Sequence, residues 1–291
     1  MIKLGLGTVQ FGLPYGISNK AGQVSLDEVD KILKLASASC MQILDTAAGY
    51  GDSEAVLGRS LAPAHGFSIV TKILPLKTDE VRSNDVARAE VAFEDSLRHL
   101  RQQSVYGLLV HHSADLLNPG GERLYALLQR WKDEGRVRRI GVSVYAKDEV
   151  GRLFDKYAFD LVQLPLNVFD QRLVQDGTLQ RLHAAGVEVH VRSAFLQGLL
   201  LMPSEALPAY FASLMPHHET YIATLEQAGV SPLAGTLGYF HHLPEVSTVL
   251  VGVETSLQLQ ECIVATNDVP SLSFPSFAVD DPLMLDPRVW R

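Results

Sequence analysis

The sequence predicts an α/β protein, a single (β/α)8 barrel of the TIM type running through residues 1–291. Short apolar runs alternate eight times with amphipathic segments, the pattern of a parallel sheet buried on both faces. Eight such units in 291 residues favour a closed barrel over an open sheet. Polar side chains recur at the C-terminal ends of the apolar runs, where a barrel gathers its chemistry: Asp45, Lys72, His111, Ser143, Gln163 and Arg192, with Gly252 after the last.

The units follow in order. Lys3 to Thr8 reads as the first strand and enters a loop rich in glycine and aromatics, Gln10 to Gly16. Ser25 and Glu28 have capping-box spacing for a helix from Leu26 to Ala38, with Val29, Ile32, Leu33 and Ala36 on one face. Strand 41–45 precedes helix 53–61, and strand 67–72 precedes helix 85–102 with Val86, Ala89, Ala92, Phe93 and Leu97 inward. Strand 105–111 leads to helix 120–134, and strand 138–143 to helix 147–157. The last three units are strand 161–165 with helix 173–185, strand 187–192 with a helical region over 216–240, and strand 247–251 with helix 256–266. The stretch 268–291 holds Pro270, Pro275, Pro282 and Pro287 and is expected to be an irregular tail across the barrel.

An apolar fraction of 47% with 20% charged residues supports one sizeable core. The formal net charge of −8 and the lack of a basic stripe argue against nucleic acid; Arg136, Arg138 and Arg139 read as a solvated turn. Neither Cys40 nor Cys262 has metal-ligand spacing, so no metal is expected, and the thiols fit a reducing cytoplasm. No apolar run reaches membrane-spanning length, and no signal-peptide core is evident. The pairs His217-His218 and His241-His242 read as solvated helix surface. Nothing in the sequence specifies an oligomeric state.

The chemistry gathers at Asp45-Thr-Ala-Ala-Gly-Tyr50-Gly. A buried carboxylate at a strand end is costly without a cation, and Lys72 on the next strand offers one. An ammonium near a phenol lowers its pKa, so Asp45, Lys72 and Tyr50 form an acid unit. A neutral imidazole N–H from His111, or from its neighbour His112, would polarise a carbonyl beside the Tyr50 hydroxyl. Phe11, Tyr15, Tyr145, Phe169 and Phe195 lie on loops at the mouth, where they line a pocket or simply pack.

These motifs resemble the aldo-keto reductase signature. Asp45 to Gly51 with Ser53-Glu54 and Leu57-Gly58, Thr71-Lys72, Leu108 to His111, Gly141 to Ser143, Gln163 with Asn167, Gln197 to Leu200, and Val251-Gly252 with Gln258 to Glu261 occur in the family's order over about residues 3–267. The resemblance implies an oxidoreductase that holds NADPH, or NADH, extended across the mouth and reduces a small aldehyde or ketone; charge, cysteines and hydropathy add the expectation of a cytoplasmic protein with no nucleic-acid or membrane partner. It assigns Asp45, Tyr50, Lys72 and His111 as the catalytic tetrad, Tyr50 being the general acid, and selects His111 over His112. It implies cofactor contacts at Gly7, Thr8, Asp45, Ser143, Gln163, Arg192, Ser193, Leu196, Gly198, Gly252, Gln258 and Glu261.

Four positions depart from the family pattern. Val144 replaces an Asn that bonds the carboxamide, Arg192 a Tyr that stacks on the nicotinamide, Gln258 an Arg that pairs with the 2′-phosphate, and Cys262 an Asn at the adenine. Those departures leave open a barrel that binds the cofactor without turnover. A lyase forming a Schiff base on Lys72 is the other alternative.

Overall fold

A computed structural model describes residues 2–145, 147–267, 272 and 274–290, apart from the side chains of 147, 148 and 275. Eight parallel strands close in sequential order: β1 (Leu4–Gly7), β2 (Ile43–Asp45), β3 (Ser68–Ile73), β4 (Val105–Val110), β5 (Val137–Ser143), β6 (Leu161–Pro165), β7 (Glu188–Arg192) and β8 (Thr248–Gly252). The expected (β/α)8 barrel is the fold.

Strand alternation makes two cores from one sheet. Outward residues such as Leu6, Leu44, Ile69, Leu108, Val142, Val162, Val189 and Val251 join the large cluster beneath the helices. Inward residues Ile43, Val70, Leu109, Leu161 and Leu250 fill the barrel centre. Two residues further along the same inward rows come Asp45, Lys72, His111, Gln163 and Gly252. The register is level from β8 through β2 and from β5 to β6, where Gly7 pairs with Asp45 and Gly252 and Ser143 with Gln163, but steps by two residues at β3 and again at β4, where Asp45 pairs with Val70 and Lys72 with Leu109. The apolar plug is therefore the floor on which the polar residues sit.

Helices Leu26–Ala38 and Ser256–Ala265 keep their expected limits within a residue. The predicted capping box at Ser25 does not form. Ser25 caps nothing with its side chain, and Glu28 Oε1 instead accepts from the backbone N and Oγ of Ser256, each at 2.7 Å, because the last helix packs beside it. The single helix expected over 173–185 is two pieces, Arg172–Gln175 and Thr178–Ala184, broken where Gly177 takes φ +75. The region 216–240 likewise divides into Met215–Gln227 and Pro232–Gly238, since Pro232 starts a new helix capped by Ser231. The glycine-rich stretch after β1 contains one helical turn, Val9–Gly12.

The tail is less irregular than its prolines suggest, with a 3-10 turn at Phe274–Phe277 and a helical turn at Pro282–Leu285. Pro270, with the rest of 268–271, lies outside the described residues. Among the described residues no helix is long and apolar enough to cross a membrane. The basic cluster is not a free turn: Arg136 pairs with Glu94, and Arg139 lies 3.9 Å from both Asp160 and Glu188. The histidine pairs also depart from the solvated reading. His218 is buried between Ser204 Oγ (2.8 Å) and the Leu199 carbonyl (3.1 Å), while His217 and His241 contact the backbone oxygens of Phe277 and Thr266.

Candidate active site

The carboxylate of Asp45 and the ammonium of Lys72 are both buried. Lys72 Nζ donates to Asp45 Oδ1 (2.9 Å), Asp45 Oδ2 (2.7 Å) and the Thr46 carbonyl (2.9 Å), and the Tyr50 hydroxyl is a further hydrogen-bonding neighbour. The same nitrogen lies 4.8 Å from the centre of the Tyr50 ring. His111 meets that ring edge-on, the centroids being 5.8 Å apart. His112 points elsewhere, 3.6 Å from Asp115, because neighbours beyond a strand end face opposite sides.

The loop carrying Tyr50 is pinned from below. Ser53 Oγ donates to the Thr8 carbonyl (2.8 Å) and accepts from Thr46 Oγ1 (3.0 Å), and Thr8 Oγ1 donates to the Asp45 carbonyl (2.9 Å). Thr71 Oγ1 donates to buried Glu54 at 2.5 Å. Gly12 lets the turn after β1 press directly on this loop, since a Cβ there would overlap the Tyr50 carbonyl and lie 2.5 Å from the Ser53 nitrogen. Ser53 and Glu54 thus act on the chemistry by holding the phenol in place.

The electrostatics separate the two candidate proton donors. Burial pushes the Tyr50 hydroxyl above the usual phenol range, and the opposing pull of Lys72 only partly offsets it, so the expected lowering does not occur. The phenol is fully protonated at neutral pH. Burial, then the charges of Lys72 and Arg192, hold His111 down to about 3, so its ring is neutral. Lys72 is held above its ordinary value: burial opposes its charge, and Asp45 and then Tyr50 together more than restore it. A protonated phenol, a neutral imidazole and a fixed ammonium form an arrangement suited to giving a proton to an oxygen that gains negative charge.

Above this floor opens a cavity of about 650 Å³. Gly7, Thr8, Asp45, Tyr50, His111, Ser143, Gln163, Arg192, Ser193, Gly198, Gly252, Gln258 and Glu261 all border it. Lys72 lies beneath Tyr50, and Leu196 is wholly buried in the core without reaching the cavity, so only its backbone belongs to the surrounding loop. Thr8 borders the space while its hydroxyl is engaged with Asp45 and Ser53. Gln163 Nε2 donates to Asp45 Oδ1 (2.6 Å), whereas its Oε1 is buried without a partner. That orphaned acceptor at the cavity floor, beside Ser143, fits an amide NH2 such as a nicotinamide carboxamide carries. Gln10 lies over Gly252 and has an unpartnered Oε1 as well.

The loop after β7 forms the rim. Ser193, Leu196 and Gln197 have φ of 58, 48 and 56, an uncommon cluster for side-chain-bearing residues, and Gly198 follows at 94. Asn167 Nδ2 holds the Ser193 carbonyl (3.1 Å), while Gln197 reaches Tyr15 Oη (3.2 Å) and its carbonyl accepts from Ile17 N. The loops after β1 and β7 therefore meet across the cavity. Near the helix Ser256–Ala265, the lining consists of Glu254, Gln258, Glu261 and Cys262; Gln258 Oε1 accepts from Glu254 N at 2.7 Å.

Of the aromatic residues singled out from sequence, Tyr15, Tyr145 and Phe195 border the cavity; Phe11 and Phe169 are core residues. Val144 is also buried, and only its carbonyl faces the site, where it accepts from Arg192 Nη2 (2.9 Å). Arg192 does not lie flat and free for a ligand ring on both faces; its guanidinium stacks on Tyr145 at 3.8 Å. Sequence reasoning missed Gln10, Ser18, Glu254, Pro287 and Arg288. Glu254 was within reach of it, two residues past Gly252, but Arg288 arrives through tertiary packing of the tail.

A profile of the "Aldo/keto reductase family" matches residues 3–272. The L-galactose dehydrogenase of Arabidopsis thaliana is 27% identical over 271 residues, covering 86% of this chain and 82% of that protein. An aldo-keto reductase of Mycobacterium ulcerans is 29% identical over 136 residues, 45% of each chain. Among solved structures, the holo form of the aldo-keto reductase AKR11C1 from Bacillus halodurans matches with a TM-score of 0.76 at 18% identity, covering 95% of this chain and 92% of that one. The glycerol dehydrogenase AKR11B4 from Gluconobacter oxydans matches at 0.70 and 21%, covering 98% and 92%. Both show the shared fold.

Proposed function

Because this chain belongs to the aldo/keto reductase family, an oxidoreductase family, we propose that it reduces an aldehyde or ketone to the alcohol with a nicotinamide dinucleotide. The observation that carries this reading is the packing of Tyr50, Lys72, Asp45 and His111 into one unit on the floor of a cavity that also presents the unmet acceptor of Gln163. When bound, the reduced nicotinamide supplies hydride to the carbonyl carbon.

Gln163 and Ser143 would hold its carboxamide, with Gly7, Gly252 and the Ser193 to Gly198 loop bordering the rest. Tyr50 gives its proton to the oxygen as negative charge develops there. Lys72 stabilises the phenolate left behind, and Asp45 keeps Lys72 charged and fixed. Neutral His111 orients the same oxygen by donating an N–H. The Schiff-base alternative is disfavoured, since a lysine buried against Asp45 and held as an ammonium is a poor nucleophile.

The cofactor's sugar-phosphate end is the finer question. Among the described residues, the lining by Glu254, Gln258, Glu261 and Cys262 holds two carboxylates and no lysine or arginine, so an added 2′-phosphate would meet like charge there. That supports NADH at least as well as NADPH. The test of the whole reading is Tyr50→Phe, assayed over sugar aldehydes, aromatic aldehydes and dicarbonyls. Loss of roughly 10²- to 10⁴-fold in kcat/KM, the worth of a placed general acid, with cofactor affinity retained by fluorescence titration, is the expected result. A Phe variant with ordinary turnover would take the proton-donor role from Tyr50, and a wild-type chain that binds the cofactor but reduces nothing would leave the non-catalytic barrel.

A further inference from the structure

We propose that Arg192 is the recognition site for a carboxylate carried by the carbonyl substrate, so that the substrates are oxo acids or other anionic carbonyl compounds. The inference rests on the carbonyl-reduction reading for the location of the reacting carbon beside Tyr50. Among the described residues two arginines border this cavity, Arg192 and Arg288, with Lys72 beneath it; Lys72 is neutralised by Asp45, and Arg288 by a two-point pairing with Asp286 through Nε (2.9 Å) and Nη2 (2.6 Å). Arg192 has no carboxylate within 4 Å among the described residues.

Its other bonds are few. Nη2 donates to the Val144 carbonyl at 2.9 Å, Nη1 has only a long 3.4 Å contact with Ser193 Oγ, and Nε is buried with no acceptor. The guanidinium is nevertheless held in place. Tyr145 stacks on it at 3.8 Å and takes Arg288 at 3.5 Å; a ring face has room for one guanidinium at that distance, so the two lie on opposite faces. Of the nearby carboxylates, Asp286 feels the Arg192 charge at a distance but is paired with Arg288, and Glu149 accepts from the Tyr145 backbone N–H (2.8 Å). Packing on Tyr145 accounts for the stack but not for the buried donor.

Arg192 is also close to the chemistry. It borders the same cavity as Tyr50 and His111, and its charge lowers the proton affinity of both. A rigid, always-charged fork with an unmet N–H, bordering the cavity that Tyr50 and His111 also line, is what carboxylate recognition requires.

The test pairs isosteric probes, 4-carboxybenzaldehyde against 4-formylbenzamide for turnover and benzoate against benzamide for calorimetric binding. The wild type is expected to favour the anionic member of each pair roughly tenfold or more, as one charge-assisted hydrogen bond provides. Arg192→Gln should bring both ratios near one, and Arg192→Lys should restore part of them. Equal treatment of both members by the wild type, or a preference that survives Arg192→Gln, overturns the proposal. Benzoate binding that depends on Arg192 with no aldehyde reduced would uphold the carboxylate site and refute carbonyl reduction; reduction of both aldehydes alike would do the reverse.

Discussion

Replacing Lys72 with methionine tests the physical premise of the site, because it removes the ammonium and its N–H donors and keeps an unbranched side chain only one atom shorter. In the folded protein the ammonium satisfies both oxygens of Asp45 at 2.9 and 2.7 Å and the Thr46 carbonyl at 2.9 Å, all out of water. Breaking a buried pair from one side leaves a stranded carboxylate and costs about 3–5 kcal/mol. The abandoned carbonyl adds about 1 kcal/mol. Against an unfolding entropy near 0.6 kcal/mol/K, scaled from roughly 2.1 cal/mol/K per residue, a loss of 4–6 kcal/mol lowers Tm by about 7–10 °C.

The double variant Asp45→Asn/Lys72→Met removes the stranded charge while leaving an amide for Gln163 to meet. It should recover at least about 2 kcal/mol relative to Lys72→Met, so the two substitutions are strongly non-additive. Circular-dichroism melts with urea titrations of the four cycle members measure both quantities. A Lys72→Met variant melting within about 2 °C of the wild type, or a double variant that is simply the sum of the singles, refutes the reasoning, because the pair would then not be buried and coupled.

Further predictions concern protonation, the cofactor and packing. His111 is held at about 3 against its ordinary 6.5, and Tyr50 lies above the phenol range, so kcat/KM should be flat between about pH 5 and 9; an inflection near 6.5 that disappears in His111→Asn would show a titrating imidazole. Because the folded chain refuses the proton that unfolded His111 takes below 6.5, this site withdraws stability as pH falls from 6.5 towards 3, and His111→Asn should melt less pH-dependently across that window. Equilibrium titration should find NADH bound at least as tightly as NADPH, with Glu254→Gln improving the phosphate-bearing form; tighter NADPH binding by the wild type contradicts the charge argument. Gly12→Ala should lower kcat, since the added methyl displaces the Tyr50 loop; retention of wild-type kcat would show that loop to be soft.

The linear chain determined a good deal. Alternating apolar runs and helical faces are local patterns, so the eight units, the barrel and the shared mouth at the strand ends were legible, and with them the meeting of Asp45, Lys72, Tyr50 and His111. Period-two alternation even separates His111 from His112. Local signals failed where a distant partner competes: Glu28 has the spacing to cap its own helix, yet Ser256 takes it, and His218 looks like a surface histidine until Ser204 and Leu199 close over it.

The site's charge balance was decided only in three dimensions. Burial at Tyr50 outweighs the ammonium beside it, a contest of opposing effects that composition cannot weigh. Arg288 reaches the mouth from beyond the last helix, and by pairing with Asp286 and stacking on Tyr145 it leaves Arg192 without a carboxylate within 4 Å among the described residues. Periodicity places residues on faces because it reflects the backbone's own repeat, whereas ion pairing and desolvation depend on which remote groups share a few ångströms of space.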